Sequence, residues 1–268
     1  MYGAIIGDVV GSIYEFHNVK TKEFAWLTEK SHFTDDTVMT VAVADALIKC
    51  FQKSSVYDLD VFRAELYSSM HYWGRTYWKA GYGQKFFMWL MRQSQEPYNS
   101  FGNGSAMRVS PVAWCCQTLE DTLRLARVSS EVTHNHPEGI KGAEAVAGAV
   151  FLARNGATKE EIKTFFSQYY EITFTLDEIR PTYRHVESCQ ESVPQALEAF
   201  FESDGFEDTI RNAISIGGDS DTIAAIAGSV AEAYYGISLD MKKDIIGYLD
   251  EPLINVIRNF DEVVVRRS

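Results

Sequence analysis

The apolar residues of this chain recur at helical spacing along nearly its whole length, and that periodicity limits the fold more than any other feature. In TVMTVAVADALIKC, residues 37–50, Met39, Val43, Leu47 and Cys50 fall on or near one face of a 3.6-residue repeat. Similar patterns run over Val56–Met70, Asp121–Ser129, Pro137–Arg154 and Lys159–Tyr170, and the stretches Gln190–Asn212 and Lys242–Phe260 also support helices. Strict alternation of apolar and polar residues, the mark of a half-buried strand, is sparse. The expected fold class is therefore all-α, a compact multi-helical domain spanning residues 1–268, with longer ordered connections around residues 15–36 and 71–110.

Two stretches read as buried helices. PEGIKGAEAVAGAVFLARNG, residues 137–156, opens on a proline suited to a first helical turn and sets Ala143, Ala147 and Val150 at close-packing spacings. DTIAAIAGSVAEAYYG, residues 221–236, is charged only at Asp221 and Glu232, offers Ile223, Ile226, Ala227 and Val230 to a core, and ends on Gly236, a plausible C-cap. No internal repeat, low-complexity tract or composition break marks a linker.

Composition then excludes several classes. With 46% hydrophobic and 23% charged residues the chain is an ordinary globular one, neither disordered nor fibrous. The net charge of -12, from 25 basic and 37 acidic residues, argues against a broad nucleic-acid surface, although a local pocket of amides or cations can still take a phosphorylated ligand. Cys50, Cys115, Cys116 and Cys189 sit in apolar surroundings without metal-ligand spacing and read as buried thiols. The opening lacks a basic n-region, and no apolar run approaches the roughly 20 residues of a membrane span, so a cytoplasmic location without membrane association is expected.

Against this background two short acidic stretches stand out. SHFTDDTVMT, residues 31–40, sets Asp35 beside Asp36 where an apolar helix begins, and GGDSDTIAAI, residues 217–226, repeats the same ingredients with Asp219, Asp221 and Thr222. A helix N-cap needs one acceptor, and paired carboxylates repel unless hydrogen bonds or a cation offset the charge. Ordinary capping is one reading, since Asp and Thr are common helix starters. If the two helix starts meet, the carboxylates with Thr34 and Thr222 form a hard-oxygen set suited to Mg²⁺ or Mn²⁺.

TDDT at 34–37, GNGSAMRVSP at 102–111, THNHPEG at 133–139 and GGDSDT at 217–222, together with the opening GAIIGDVVGSIYE at 3–15, resemble the ADP-ribosylglycohydrolase family, which includes the dinitrogenase reductase activating glycohydrolase. The number and order of these motifs carry the resemblance, which spans nearly the whole chain. It implies an all-helical hydrolase with two Mg²⁺ or Mn²⁺ ions, held at the matching positions Thr34, Asp35, Asp36, Asp219, Asp221 and Thr222. It also implies that Glu15 is a mobile glutamate completing the catalytic site, that Gly104 and Ser105 lie near the ADP-ribose phosphates, and that His134 contacts the ligand.

Each of these has a residue-level reading beside the resemblance. Glu15 could steady positive character at an anomeric carbon or be a solvated acid. Gly102 and Gly104 permit close backbone approach to a diphosphate, with Asn103 and Ser105 as polar contacts, but also suit a packing turn. His134 could bind phosphate or hold a turn, and His136 could cap a helix. In residues 70–90 the aromatics Tyr72, Trp73, Tyr77, Trp78 and Tyr82 could wall a base pocket, whereas Phe86, Phe87, Trp89 and Leu90 read as core; the AGYG turn is expected to contribute shape.

The expected reaction is hydrolysis of the bond between the anomeric carbon of ADP-ribose and an acceptor, with Glu15, Asp36 and Asp221 as catalytic residues. Asp36 and Asp221 would both bind metal and position water. The expected partner is an ADP-ribosylated protein or a small ADP-ribose conjugate, with arginine-linked substrate tested first. Serine-linked ADP-ribose, O-acetyl-ADP-ribose, poly(ADP-ribose), another nucleoside or sugar glycoside, and a non-catalytic ADP-ribose-binding module are the alternatives. Neither a G-x-S-x-G elbow nor a nicotinamide-dinucleotide fingerprint is present, and no motif indicates an oligomeric state.

Overall fold

A computed structural model describes residues 1–53 and 57–265. Helices α1 (Tyr2–Gly11), α2 (Asp35–Lys53), α3 (Leu59–Thr76), α4 (Gln84–Met91), α5 (Gly104–Met107), α6 (Ser110–Cys115), α7 (Leu119–Glu131) and α8 (Pro137–Arg154) form the first half. They are followed by α9 (Lys159–Phe166), α10 (Leu176–Ile179), α11 (Cys189–Phe201), α12 (Phe206–Ser215), α13 (Ser220–Tyr235), α14 (Leu239–Ile246) and α15 (Glu251–Val265). Among the described residues there is no β-strand, only an antiparallel bridge between Gly102 and Ser188, so the all-α expectation holds.

The two small-residue stretches become α8 and α13, which pack on each other and gather most of the other helices around them. Ile223, Ile226, Ala227 and Val230 of α13 are fully buried, each of the larger ones contributing roughly 1.5–3 kcal/mol of burial. The most extensive helix contact is α1 against α13. It is made by GAIIGDVVG: a Cβ on Gly7 would lie 2.2 Å from the Ala224 carbonyl oxygen, and one on Gly11 would lie 2.4 Å from the Asp221 Cα. Glycine at every fourth position thus lets the two backbones touch, which a larger residue would prevent.

Several boundaries differ from the sequence expectation. The interval 71–110 is no single connection, for α3 continues to Thr76 and α4, α5 and the start of α6 follow. Phe86, Trp89 and Leu90 of α4 are buried, in keeping with their core reading, and this packing forms a helix inside the expected connection. The helix expected from Val56 starts at Leu59, where the Asp58 carboxylate accepts from the Val61 amide, and Val56 itself lies outside the described residues. Gln190–Asn212 divides into α11 and α12, and Lys242–Phe260 into α14 and α15. The pattern from Lys159 ends at Phe166. Gly236 caps α13 with φ 74°, and all four cysteines are buried thiols. Among the described residues no helix is long and apolar enough to cross a membrane.

Candidate active site

The N-terminal starts of α2 and α13 open into a cavity of about 530 Å³. Thr34, Asp35 and Asp36 come from the first start, and Asp219, Asp221 and Thr222 from the second. Glu15, Gly104 and His134 also line it. The two acidic stretches therefore meet: the Thr222 hydroxyl donates to Asp36 Oδ2 at 3.0 Å, across 186 positions of sequence. Asp36, Asp219, Asp221, Thr34 and Thr222 are buried and Asp35 half-buried.

Local backbone geometry sets each start. Gly217 and Gly218 take φ 68° and 80°, a left-handed pair that only glycine adopts cheaply, and it turns the chain into Asp219. Asn18 braces this turn from the Glu15 side. Its side-chain Oδ1 accepts from the Gly218 amide at 2.8 Å, and its side-chain nitrogen donates to the carbonyls of Gly218 at 3.0 Å and Glu15 at 2.8 Å. At the first start, the Asp35 amide donates to the Ala80 carbonyl at 2.8 Å, which brings the AGYG turn to the cavity wall.

Behind both starts lies Asp8 of α1, a residue the motif reading passed over. Its carboxylate is fully buried and accepts from the Thr34 amide at 3.0 Å, the Thr34 hydroxyl at 2.7 Å, the Thr37 amide at 3.0 Å and the Thr37 hydroxyl. Carboxylate oxygens of Asp8, Asp36 and Asp221 lie within 4.8 Å of one another, and a second such group joins Glu15, His185 and Asp219.

So many carboxylates in one buried place perturb one another. Burial first, then the neighbouring acids, hold Asp35, Asp36 and Asp221 well above the usual carboxylate range; burial raises Asp8 and Asp219 despite the hydrogen bonds they accept. Glu15 is pushed up to about 7 by burial and by Asp219. Burial opposes the protonated form of His185, but Asp219, Glu187 and Glu15 outweigh it and the net shift is upward. Asp36 Oδ1 is buried and has no hydrogen-bond donor among the described residues. An orphaned carboxylate oxygen facing a crowd of like charges and hydroxyls is what a hard divalent cation would satisfy, so the donor set fits such an ion.

The opposite wall suits phosphate. Arg108 is buried, lines the cavity and donates to the Gly104 carbonyl at 2.8 Å, the Ser129 carbonyl at 3.2 Å and the Thr133 hydroxyl at 2.8 Å. The Thr133 hydroxyl, whose oxygen accepts from Arg108, also shares a hydrogen bond with His134 Nδ1, 2.7 Å away. The other ring nitrogen, Nε2, lies close to Gly104. Burial and then the Arg108 charge depress the His134 pKa well below the ordinary value, so the ring is neutral. Asn103 ties this wall to the acidic one by donating to Asp219 Oδ2 at 2.7 Å and Ser192 Oγ at 3.1 Å.

Not every sequence candidate reaches the cavity. The Ser105 hydroxyl is fully buried and donates to the Gly139 carbonyl at 2.7 Å, behind the glycine turn, so its side chain serves packing. His136 caps α8 by accepting from the Glu138 amide at 3.1 Å. Of the aromatics Tyr72, Trp73, Tyr77, Trp78 and Tyr82 none lines the cavity, whereas Phe86, Tyr98 and Ala80, Gly81 and Gly83 of the AGYG turn do.

The cavity of this all-helical chain thus sets clustered carboxylates opposite a neutral histidine and a buried arginine, a lining that can take a divalent cation on one side and a phosphate group on the other. The particular family follows from comparison: the chain belongs to the ADP-ribosylglycohydrolase family, whose model matches residues 1–263, and it is an ADP-ribosyl glycohydrolase. It is 28% identical to human ADP-ribosylhydrolase ARH3, over 88% of this chain and 84% of that protein. It is 27% identical to the ADP-ribosylarginine hydrolase Tri1 of Pseudomonas putida (strain GB-1), over 89% of this chain and 70% of that one. In fold it resembles the solved structure of an ADP-ribosylglycohydrolase-related protein complex, with a TM-score of 0.65 and 22% identity over 98% of this chain and 92% of that chain.

Proposed function

We propose that this chain works as one catalytic domain that hydrolyses, in a metal-dependent reaction, the bond between the ribose anomeric carbon of ADP-ribose and a protein side chain, arginine first. The observation that carries the reading is the meeting of Asp36 with Thr222 beside an unpartnered Asp36 Oδ1. Thr34, Asp35, Asp36, Asp219, Asp221 and Thr222 would hold two Mg²⁺ or Mn²⁺ ions. Bound there, the ions would supply Lewis acidity and lower the pKa of water.

The chain's own groups do the rest. His134 Nε2–H donates to a phosphate oxygen, and Arg108 supplies buried positive charge without a carboxylate partner among the described residues. Asp36 and Asp221 position the attacking water, and Glu15 faces the positive character that develops at the anomeric carbon. Water adds to that carbon, its bond to the acceptor nitrogen breaks, and the nitrogen takes a proton, so the products are free ADP-ribose and unmodified arginine.

Arginine is favoured because Glu187, an acid outside the metal-holding set, lines the cavity and can pair with a guanidinium acceptor. The name of the Pseudomonas putida relative points the same way. Mass-spectrometric competition between arginine- and serine-linked ADP-ribosyl peptides tests the linkage, with a higher kcat/KM on the arginine peptide as the expected result. Preference for the serine peptide would reassign the acceptor. ADP-ribose binding without release from either peptide would reduce the chain to a binding module or send it to another glycoside.

A further inference from the structure

Asp8 sits at the junction of the elements that build the acidic centre, and nothing in the motif pattern assigned it a role. It belongs to α1, which the glycines at positions 7 and 11 press directly against the α13 backbone at Ala224 and Asp221. Its carboxylate, in turn, is bonded entirely to the first acidic stretch, through the amides and hydroxyls of Thr34 and Thr37. Those four donors occupy both oxygens: Oδ1 takes the Thr34 hydroxyl, and Oδ2 takes both amides and the Thr37 hydroxyl. Asp36, beside it, keeps a carboxylate oxygen with no donor among the described residues.

From this we infer that Asp8 is the positioning residue of the metal centre. It registers the Thr34–Asp36 stretch against α13 and sets the direction of the Thr34 hydroxyl, without being a ligand itself. The inference rests on the metal-dependent reading above.

Lone-pair counting makes the point about Thr34. Its hydroxyl donates its proton to Asp8 and accepts from the Asp36 amide at 3.3 Å, which leaves one lone pair for a cation. With Asp8→Asn, the single remaining oxygen best replaces Oδ2, where three donors converge, and the new NH₂ group then faces the Thr34 oxygen. That oxygen would accept from both the amide side chain and the Asp36 amide, leaving no lone pair for a cation. The substitution keeps the volume and reverses one hydrogen bond.

The test is Mn²⁺ titration followed by electron paramagnetic resonance on the full chain, for wild type, Asp8→Asn, Thr34→Val and the double variant, with unfolding in chelator as a control for folding. Wild type is expected to bind Mn²⁺. Asp8→Asn should bind about 10–100-fold more weakly, as outer-shell changes at metal sites do, while the metal-free protein still unfolds cooperatively. In the Thr34→Val background Asp8→Asn should add little, because its target hydroxyl is gone. Affinity within twofold of wild type in Asp8→Asn, or losses that simply add in the double variant, would overturn the positioning role. Should Asp8→Asn not fold, Thr37→Val replaces it: this residue is bonded to Asp8 alone in the centre and should weaken Mn²⁺ binding severalfold, and unchanged affinity would contradict the role. Failure of wild type to bind Mn²⁺ would overturn the metal centre and this inference with it, whereas normal wild-type binding with an indifferent Asp8 would remove only the latter.

Discussion

The Thr222 hydroxyl donates to Asp36 Oδ2 at 3.0 Å and thereby joins the starts of two helices that lie 186 positions apart. Around that bond the chain buries carboxylates whose mutual repulsion costs stability until something neutralises it.

Relieving the repulsion has a measurable sign. Asp36→Asn removes one charge while keeping an oxygen for Thr222, so the metal-free protein gains on the order of 1 kcal/mol, read as a rise in Tm of about 2–4 °C. The same variant loses the Tm increase that Mg²⁺ or Mn²⁺ gives to wild type. Thermal unfolding with and without metal checks both; a metal-free Tm below wild type would show that the carboxylate is stabilising by itself.

The pH dependence of the metal-free protein follows from the same groups. Asp35, Asp36 and Asp221 have folded pKa values well above those of the unfolded chain, because burial and neighbouring acids disfavour the charge. The folded state therefore holds more protons than the unfolded state above the ordinary carboxylate range. Their contribution is fully present below that range and is lost as pH rises through the folded values. In chelator, Tm should fall from about pH 5 to pH 8, and saturating Mn²⁺ should flatten the slope. A rise over the same interval would contradict the burial of these charges.

Glu15 offers a separable test of chemistry. Glu15→Gln keeps the shape of a side chain whose acid is raised to about 7, but removes its charge. Turnover should drop by roughly 10²–10⁴-fold, with ADP-ribose affinity within a few-fold of wild type. Calorimetric titration alongside single-turnover kinetics distinguishes this from a solvated acid, whose loss would leave kcat unchanged.

Gly11→Ala tests whether α1 gauges the site. The added Cβ would lie 2.4 Å from the Asp221 Cα, which is backbone and cannot swing aside. Overpacking of about 1–3 kcal/mol then outweighs the roughly 1 kcal/mol that alanine gains over glycine in a helix. Both Tm and Mn²⁺ affinity should fall. Gly236→Ala, at a cap with φ 74° and open space around it, should lower Tm alone.

How much of this was legible beforehand varied by element. Helical periodicity gave the fold class, and the residue types at 34–36 and 219–222 pointed to oxygen ligands, because those signals are local. Their meeting is a tertiary fact carried by the packing of α1 on α13. The glycines at 3, 7 and 11 and Asp8 all stand in the opening motif, but nothing in that motif says that it forms a helix or which helix will lie opposite. α4 was not marked as a separate helix because its eight residues follow the glycine-containing AGYG turn closely, although the core reading of Phe86, Trp89 and Leu90 agrees with their burial. Ser105 shows the limit of motif transfer, since a hydroxyl in a glycine turn can point at the ligand or, as here, at the Gly139 carbonyl. Arg108 and Thr133 act on His134 through a relay of hydrogen bonds that no spacing rule encodes.

The central claim is most directly tested by mass-spectrometric product analysis with an arginine-linked ADP-ribosyl peptide, in Mg²⁺, Mn²⁺ or chelator, with wild type and Asp36→Ala plus Asp221→Ala. The account predicts intact unmodified peptide and free ADP-ribose in equal amounts with metal, and neither product in chelator or from the double variant. Release that persists in chelator, or in the double variant, would contradict it.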